Sequence, residues 1–326
     1  MLGIVGLVGL LVVVGLASLA VGAKPIPIGV VWDALWSPTG TPDDLIVRSL
    51  RIPRTLLGVL VGVALGVAGA LMQGHTRNPL AEPGLLGVNA GAAFLVVVGI
   101  YALGVTSLFG YVWFAFAGAF AASVLVFVIG SLGRGGPTPV TLALAGVALG
   151  ALFQALTSAL VLSDTNTLDA YRFWVLGALT GRDTAIAAQV APFIVLGLVF
   201  AAANAPGLNL LSLGEDVARN LGQRVGLTRG TGLAAIMLLT GAAVAACGPI
   251  WFLGLIAPHV ARALTGPDYR WLLPASGLIG AVLLLVADVL GRVVVRPGEL
   301  QVGIVLALIG APFFIALVRR RRLAKL

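Results

Sequence analysis

Histidine, cysteine and serine are the residues that could make this chain a catalyst, and their placement argues against catalysis. The two histidines, His75 and His259, lie in different segments, and neither belongs to an HExxH motif or a His/Cys cluster that could hold a catalytic metal. The one cysteine, Cys247, lies in an apolar run and can form neither an internal disulfide nor a multi-cysteine metal site. No GxSxG nucleophile motif is present. We therefore expect no catalytic residue and no bound metal.

The lysines decide whether the chain could hydrolyse ATP by itself. A phosphate-binding P-loop needs a Gly-Lys-Ser/Thr sequence. Only two lysines are present, Lys24 and Lys325, and each follows an alanine. The chain is therefore predicted to bind no ATP through a P-loop, and no other cofactor is indicated.

Acidic residues inside apolar runs would indicate an ion-coupled secondary carrier. Nearly all of the 12 acidic residues fall between the apolar runs instead. Asp288 is the exception, but it precedes Arg292 by four residues, which predicts an ion pair within one helix. Glu82 lies in a polar segment next to Pro83. This distribution favours neither a proton relay nor a secondary carrier.

Uncharged polar residues do occur inside the apolar runs. Gln154, Thr157 and Ser158 follow the helical spacing i, i+3 and i+4, so they are expected on one face of a helix. Gln73 and Asn89 are further examples. These five side chains could form interhelical hydrogen bonds or line a polar pathway, and the sequence leaves both interpretations open.

Composition identifies the environment in which these residues must be positioned. Of the 326 residues, 60% are hydrophobic and only 10% are charged, and the mean hydropathy is +1.09. Soluble domains carry about 25% charged residues. The chain is therefore predicted to be an all-α integral membrane protein. Its net charge of +8 does not indicate nucleic-acid binding, because the basic residues are scattered between apolar runs.

A membrane span needs about 20 apolar residues, and fewer where other helices cover its ends. The first apolar run lacks a basic leader segment and is interpreted as a retained span. Ten spans are predicted, at about residues 1–23, 55–73, 87–104, 108–132, 139–162, 185–204, 231–248, 250–264, 271–290 and 301–318.

The basic residues predict how these spans are oriented. With ten spans and the N-terminus inside, 12 of the 20 basic residues fall inside and 8 outside. This bias predicts that both termini are cytoplasmic, and the C-terminal run of four arginines contributes most of it. The number of basic residues predicted outside is larger than this bias would lead one to expect, and it requires an explanation. The eight outer residues are Lys24, Arg48, Arg51, Arg54, Arg172, Arg182, Arg292 and Arg296.

Two short helices are predicted at the membrane surfaces. One covers residues 171–179 outside, where aromatic side chains suit the membrane interface. The other covers residues 213–224 inside, with Glu215 and Asp216 in its first turn and an apolar stripe of Val217, Leu221 and Val225. The inner segment is either a solvated connector or a helix that docks on a partner.

The chain resembles a known family through sequence blocks that follow one another along nearly its whole length. It is similar to the permeases of type II ABC importers for iron-siderophores, haem and vitamin B12. The blocks include RIPR at 51–54, GALMQ at 69–73, NPLAEPGLLGVNAGA at 78–92, LAGVAL at 144–149, LGEDVARNLG at 213–222, GPIWFLGLIAPHVAR at 248–262 and GAPFFIALVRR at 310–320.

This resemblance implies an architecture and a set of partners. It implies one permease domain over residues 1–326, with ten transmembrane helices, in the bacterial inner membrane. A second permease completes the channel, and a heterodimer is favoured over a homodimer. Two cytoplasmic P-loop ATPase subunits use ATP and Mg²⁺, and an extracytoplasmic binding protein delivers the substrate.

The resemblance also implies sites on this chain. Arg51, Arg54 and Arg292 match the outer arginines that contact the binding protein, which would explain the outer excess of charge. The cytoplasmic coupling segment, at about residues 209–229, would contact the ATPase. Its matching residues are Gly214, Glu215, Asp216, Ala218, Arg219, Leu221 and Gly222.

The substrate is predicted less directly. Several blocks look most like those of ferric-enterobactin permeases, which favours a ferric siderophore of the catecholate type. Haem or cobalamin import is the alternative within the same fold, and an ion-coupled carrier or a membrane enzyme would belong to other classes. Arg296, before Pro297, departs from the pattern expected near the last outer helix.

Overall fold

A computed structural model describes residues 2–132 and 139–319 of the chain, without the side chains of residues 2, 85, 86 and 139. The described residues form 14 α-helices and no strand. A π-helical segment, Ile46–Arg51, leads into the fourth helix, and a 3₁₀ turn, Pro83–Leu86, precedes the fifth. The helices are α1 (Leu2–Ala20), α2 (Ile28–Trp36), α3 (Pro42–Leu45), α4 (Ile52–Thr76), α5 (Val88–Leu103), α6 (Leu108–Ser131), α7 (Pro139–Ser163), α8 (Thr165–Trp174), α9 (Thr184–Ser212), α10 (Glu215–Asn220), α11 (Val225–Cys247), α12 (Leu253–Thr265), α13 (Tyr269–Val294) and α14 (Val302–Arg319).

Each of the ten predicted spans contains one helix, so the all-α membrane fold is confirmed. Within the described ranges, eight helical segments are long and apolar enough to cross a membrane. The remaining two spans, α5 and α12, have 16 and 13 residues. Short helices of this kind are stable in a membrane only where neighbouring helices cover their ends.

The centre of the bundle consists of α4, α11 and α13. Most of each of these helices is buried, whereas α1 and α7 are buried least among the long helices. Small residues allow the close packing. A Cβ atom at Gly66 would lie 2.1 Å from the Ser276 carbonyl oxygen, and one at Gly69 would lie 1.9 Å from the Gly254 carbonyl oxygen. Any larger residue at these two positions would force α4 away from α12 and α13.

The helix α12 begins inside the bundle, where the chain changes direction sharply. Phe252 precedes it with a φ of +67°, an unusual conformation for a residue with a side chain. The Phe252 N–H donates a hydrogen bond of 2.5 Å to Glu82 Oε1. Glu82 thus connects the start of α12 to the segment between α4 and α5. A polar backbone group at this depth needs such a partner.

Two predicted elements have different limits in the structure. The outer surface helix is α8, Thr165–Trp174, and the predicted range of 171–179 is wrong. Asp164 caps α8 by accepting from the Thr167 N–H at 2.7 Å. Beyond Trp174 the chain leaves the helix, because the Ala178 N–H donates to the Cys247 carbonyl oxygen at 2.8 Å. The second span begins at Ile52 rather than residue 55, and α2 and α3 before it were not predicted.

The basic residues separate into two groups at opposite ends of the bundle. Arg54 lies in the first turn of α4 and Arg77 directly after its last, which places them about 35 Å apart along a 25-residue helix. We name the end with Arg51, Arg54 and Arg292 the outer end, and the end with Arg77 the inner end. The side of the membrane that each end faces stays a prediction. Five of the twelve residues counted inside, Arg134, Arg320, Arg321, Arg322 and Lys325, lie outside the described residues.

Candidate functional site

A buried ion-pair cluster joins α4 to α13 at the outer end. The Arg54 Nη2 atom lies 2.8 Å from Asp288 Oδ1, and its Nε donates to both Asp288 oxygens at 3.0 Å. The Nη1 atom lies 2.8 Å from Glu299 Oε2. Arg54 therefore has a carboxylate on each side of its guanidinium group.

Arg292 approaches the same carboxylate from the following turn of α13. Its Nη2 atom lies 2.9 Å from Asp288 Oδ2, so the ion pair predicted within one helix is present. Asp288 is nevertheless shared, because Arg54 binds its other side. Arg292 also donates to the Ser18 carbonyl oxygen at 2.9 Å and to Ser18 Oγ at 2.8 Å, which connects α13 to α1.

Arg51 closes the cluster on the side of α1. Its Nη1 donates to the Leu19 carbonyl oxygen at 2.6 Å, and its Nη2 donates to the Lys24 carbonyl oxygen. Carbonyl oxygens after the last turn of a helix carry partial negative charge and suit a guanidinium group. Arg51 thus binds the end of α1 without a carboxylate partner of its own in contact.

The structure brings the three predicted docking arginines together but buries them. Arg51, Arg54 and Arg292 are 5%, 9% and 2% exposed. All three line a cavity of about 420 Å³ at the outer end, which Thr180, Arg182 and Glu299 also line. Contact with a binding protein stays a prediction, and it would have to occur through this cavity rather than on a flat surface.

Glu299 lies in the segment between α13 and α14. Burial alone would raise the pKa of its carboxyl group, but the hydrogen bond and the charge of Arg54 outweigh that effect. The pKa of Glu299 is therefore lowered from its ordinary value of 4.5. The carboxylate form is the one that holds Arg54 at the wall of the cavity.

The predicted coupling segment is a single short helix at the inner end. Helix α10 covers only Glu215–Asn220, less than the predicted 213–224. Gly214, with a φ of +119°, and Gly222, with a φ of +80°, make the turns on either side of it. Both conformations are far easier for glycine than for other residues, so the two glycines define the ends of the element.

One face of α10 packs on the bundle and the other is open. Ala218 is fully buried, and Val225 is buried as well, so of the predicted apolar stripe only Val217 and Leu221 are exposed. Leu213, Val217 and Leu221 are exposed, and they recur at four-residue spacing. Apolar side chains presented in this way suit a groove on a partner protein. Coupling to an ATPase through α10 stays a prediction.

Ion pairs fix α10 to its neighbours. Glu215 lies 2.6 Å from Arg219 within the helix and 2.7 Å from Arg229 on α11. Asp216 is exposed beside them. Glu215 therefore positions the helix and is not free for a partner, a role that its place in the sequence did not reveal.

A hydrogen-bond network connects this inner region to α4. His75 Nε2 lies 3.0 Å from Asn204 Oδ1, and Asn204 Nδ2 donates to the Thr228 carbonyl oxygen at 2.7 Å. The Arg77 guanidinium donates to the Leu211 carbonyl oxygen at 2.7 Å. Sequence reasoning missed Asn204, although an asparagine within a span was a usable signal. His75 is therefore a hydrogen-bonding residue near the inner end.

The predicted pathway residues do not all lie together. Gln73 is fully buried, with its Nε2 atom 3.3 Å from the Leu255 carbonyl oxygen and its Oε1 accepting from Arg262 at 3.3 Å. These contacts connect α4 to α12, which favours the interpretation of Gln73 as an interhelical hydrogen-bonding residue.

Asn89 and Gln154 line one cavity of about 280 Å³ together with Tyr171 and Trp251. The Gln154 side chain hydrogen-bonds the Tyr171 hydroxyl. On the same helix, Ser158 is half-buried. Thr157 is 1% exposed, and its hydroxyl has no hydrogen-bond partner within the described ranges. Whether a substrate passes along these residues stays a prediction.

The described residues contain no group of three or more His, Cys, Asp or Glu side chains that could hold a metal ion. The site thus consists of an arginine-rich cavity at the outer end, an exposed helix at the inner end and a small cavity between α5, α7 and α8.

The profile of the FecCD transport family matches residues 10–320, which is nearly the whole chain. The chain belongs to the FecCD transport family. The match includes α2 to α14 and α1 from residue 10 onward, so the outer cluster, α10 and the cavity lined by Asn89 and Gln154 all lie within the family's common region.

Two bacterial permease proteins are similar to this chain along almost their full length. The ferric enterobactin transport system permease protein FepD of Escherichia coli is 49% identical over 317 residues, which is 97% of this chain and 94% of that protein. The hemin transport system permease protein HmuU of Yersinia pestis is 40% identical over 324 residues, 96% of this chain and 94% of that protein.

A solved structure agrees with the fold of this FecCD family member. An inward-facing conformation of a putative metal-chelate type ABC transporter has a TM-score of 0.84 and 32% sequence identity. The match covers 97% of this chain and 98% of that chain. The predicted type II ABC importer permease fold is therefore confirmed.

Proposed function

We propose that this chain is the transmembrane permease subunit of an ATP-driven importer that carries a ferric siderophore of the catecholate type into the cytoplasm. The observation that carries the proposal is the 49% identity with a ferric enterobactin permease over 94% of that protein. Substrate-contacting surfaces are spread over many helices in a permease, so similarity along the full length supports a shared substrate class better than any single motif.

The partners proposed from the sequence follow from the same membership. Two cytoplasmic P-loop ATPase subunits would bind Mg²⁺ and ATP and contact the exposed face of α10. An extracytoplasmic binding protein would dock at the outer cavity, where Arg51, Arg54 and Arg292 lie. Opposite charges on the two surfaces would steer that encounter and set its register.

A second permease would complete the translocation path, and we propose a heterodimer. The helix α7 supports a path beside it, because it is among the least buried long helices and yet carries Gln154 and Ser158. Polar side chains on an open helix face are costly against lipid and are satisfied against a second chain or a water-filled passage.

The orientation follows from the distribution of basic residues. We propose that the chain lies in the bacterial inner membrane with both termini in the cytoplasm, so that α10 faces the cytoplasm and the arginine-rich cavity faces outward.

Haem is the second candidate substrate. It is favoured by the hemin permease, which is 40% identical over 94% of its length. The lower identity makes haem the weaker proposal, and cobalamin import has no comparable relative among those described above.

A transport measurement separates these substrates. The complete importer in proteoliposomes, with its cognate binding protein and ATP, would be offered radiolabelled ferric enterobactin, haem and cobalamin at equal concentrations. We expect accumulation of ferric enterobactin at least tenfold above that of haem, a difference that corresponds to about 1.4 kcal/mol. Preferential accumulation of haem would replace the siderophore assignment while leaving the importer assignment intact.

A further inference from the structure

Arg182 is a buried cation without a partner in the described part of the chain. It lies between α8 and α9 at the outer end, it is 8% exposed, and its Nε atom is fully buried with no hydrogen bond to a described residue. Among the described residues its guanidinium group forms no ion pair. The nearest acidic neighbour in sequence, Asp183, is exposed and is engaged elsewhere, because it caps α9 by accepting from the Ile186 N–H at 3.0 Å.

The other buried arginines of the outer end differ from Arg182. Arg54 and Arg292 both bind Asp288, and Arg51 binds the carbonyl oxygens at the end of α1. Each of these three guanidinium groups therefore has oxygen acceptors that offset the cost of burial. Arg182 has none, although it is buried to a similar degree.

A buried charge without an acceptor destabilises a protein by more than a surface charge ever contributes. Burial lowers the pKa of Arg182, whereas the only opposing influence is the Cys247 side chain. An arginine stays charged even so. A ligand that supplies an acceptor would remove this cost and would therefore stabilise the folded chain.

The surroundings indicate which ligand removes it. Arg182 lines the outer cavity of about 420 Å³, whose walls contain five basic side chains but only two acidic ones, Asp183 and Glu299. Glu299 is held by Arg54 at 2.8 Å and by the Thr180 hydroxyl at 3.2 Å. A planar guanidinium group with free donors matches a carboxylate in a two-bond arrangement.

We propose that Arg182 is the receptor for a carboxylate that enters the outer cavity from outside the chain. The cavity, at about 420 Å³, is large enough for an acidic side chain. We assign the carboxylate to an acidic residue of the protein that docks on the outer end, and that assignment of the source rests on the proposed function. The site itself rests only on the burial and the unpaired state of Arg182.

Thermal unfolding of the purified full chain tests the site without any transport assay. The variant Arg182→Met removes the unpaired charge, and Arg48→Gln is the matched control, because Arg48 is an exposed arginine of the same end that forms no ion pair with the residues the structure describes. Sodium acetate serves as the probe, against sodium chloride at equal ionic strength. We expect acetate to raise the unfolding midpoint of the wild-type chain and of Arg48→Gln by about 2–4 °C in a saturable manner.

Arg182→Met should lose the acetate response, and in chloride it should unfold at a higher midpoint than the wild-type chain, because a charge without a partner has been removed. A lower midpoint in chloride together with an unchanged acetate response would show a purely structural arginine and overturn the proposal. If the methionine variant does not fold, Arg182→Lys keeps the charge but loses the planar fork. An acetate shift in Arg182→Lys as large as in the wild-type chain would also overturn the proposal.

A second arm identifies the source of the carboxylate. The affinity of the cognate binding protein for the complete importer in nanodiscs is compared between the wild-type and Arg182→Met forms. A loss of tenfold or more supports an acidic side chain of the binding protein, and unchanged affinity with a positive acetate result supports a free small carboxylate. If no binding protein docks on the wild-type importer, the proposed function fails, while the unfolding result on Arg182 still stands.

Discussion

Asp288 is the residue on which the stability of the outer end of the bundle depends most. Its carboxylate is 1% exposed and lies between the guanidinium groups of Arg54 and Arg292. Removing one partner of a buried ion pair leaves an uncompensated charge and costs about 3–5 kcal/mol. At Asp288 two arginines would lose their shared partner at once.

The substitution Asp288→Asn should therefore lower the free energy of unfolding by about 3–5 kcal/mol or more, since the shape is kept and the charge is lost. Unfolding of the purified chain by denaturant measures this change. The control is Asp33→Asn, because Asp33 lies exposed on α2 and its replacement should change stability by less than about 0.5 kcal/mol. Equal stability of the two variants would show that the cluster contributes little to the fold.

Glu299 gives the outer end a pH dependence whose direction follows from its lowered pKa. The unfolded chain binds a proton near the ordinary pKa of 4.5, whereas the folded chain binds it only at lower pH. The stability contributed by the pair of Glu299 with Arg54 is then fully present above about pH 5 and is lost as the pH falls through the folded pKa.

Unfolding midpoints of the wild-type chain and of Glu299→Gln, measured from pH 7 down to pH 3.5, check this direction. The wild-type chain should be the more stable at pH 7. The difference in unfolding midpoint between the two chains should shrink steadily as the pH falls below 4.5, the ordinary pKa that Glu299 has in the unfolded chain. A difference that stays constant over the whole range would mean that the carboxylate does not stabilise the folded state.

At the scale of elements, the apolar runs predicted a helix in each of ten segments, and eight helical segments of the described chain are long and apolar enough to cross a membrane. The elements at the outer surface were harder to predict. Helix α8 begins at Thr165, directly after its cap Asp164, but its end at Trp174 depends on contacts of Gly177 with Pro249 and of Ala178 with Cys247. Such contacts join residues some 70 positions apart, which no local pattern reveals.

Helix α10 is the element whose prediction the structure sharpened most. Charge reversal at Glu215 would break its ion pairs with Arg219 and Arg229, so a loss of coupling in that variant would not separate a misplaced helix from a lost contact. Val217 and Leu221 are 44% and 61% exposed and offer a cleaner test, because nothing in the described chain depends on them.

The double substitution of Val217→Asp with Leu221→Asp should reduce substrate-stimulated ATP hydrolysis by the assembled importer roughly tenfold or more, the size of effect expected for central interface residues. Stability of the isolated chain should change little. The control Asn220→Asp introduces one charge at another exposed position of the same helix and should leave stimulation intact. Normal stimulation in the double variant would exclude α10 as the contact with the ATPase.

At the scale of the whole molecule, the sequence predicted which residues are unusual but not what each of them binds. The outer position of Arg54 and Arg292 came from the charge distribution, and their pairing through Asp288 joins positions 54 and 288, which only the packing of α4 on α13 creates. Arg182 was counted among the outer charges without a role, because its burial depends on the loop between α8 and α9.

The arrangement of the whole chain gives a physical basis for transport driven by another subunit. A central unit of α4, α11 and α13 is packed through glycines, the outer cavity lies at one end, and α10 lies at the other. The network of His75, Asn204 and Thr228 joins α4 to the start of α11 beside α10. A displacement of α10 would therefore be transmitted to the central helices through hydrogen bonds and the ion pair of Glu215 with Arg229.

The central claim is that this permease works only when a separate ATPase drives it, and uptake into proteoliposomes tests the claim most directly. The complete importer would be supplied with its binding protein, radiolabelled ferric enterobactin and ATP, once with active ATPase subunits and once with subunits inactivated in their catalytic residues. We predict accumulation only with the active subunits. Accumulation that persists at the same rate with the inactivated ATPase would contradict the account and would point to a secondary carrier.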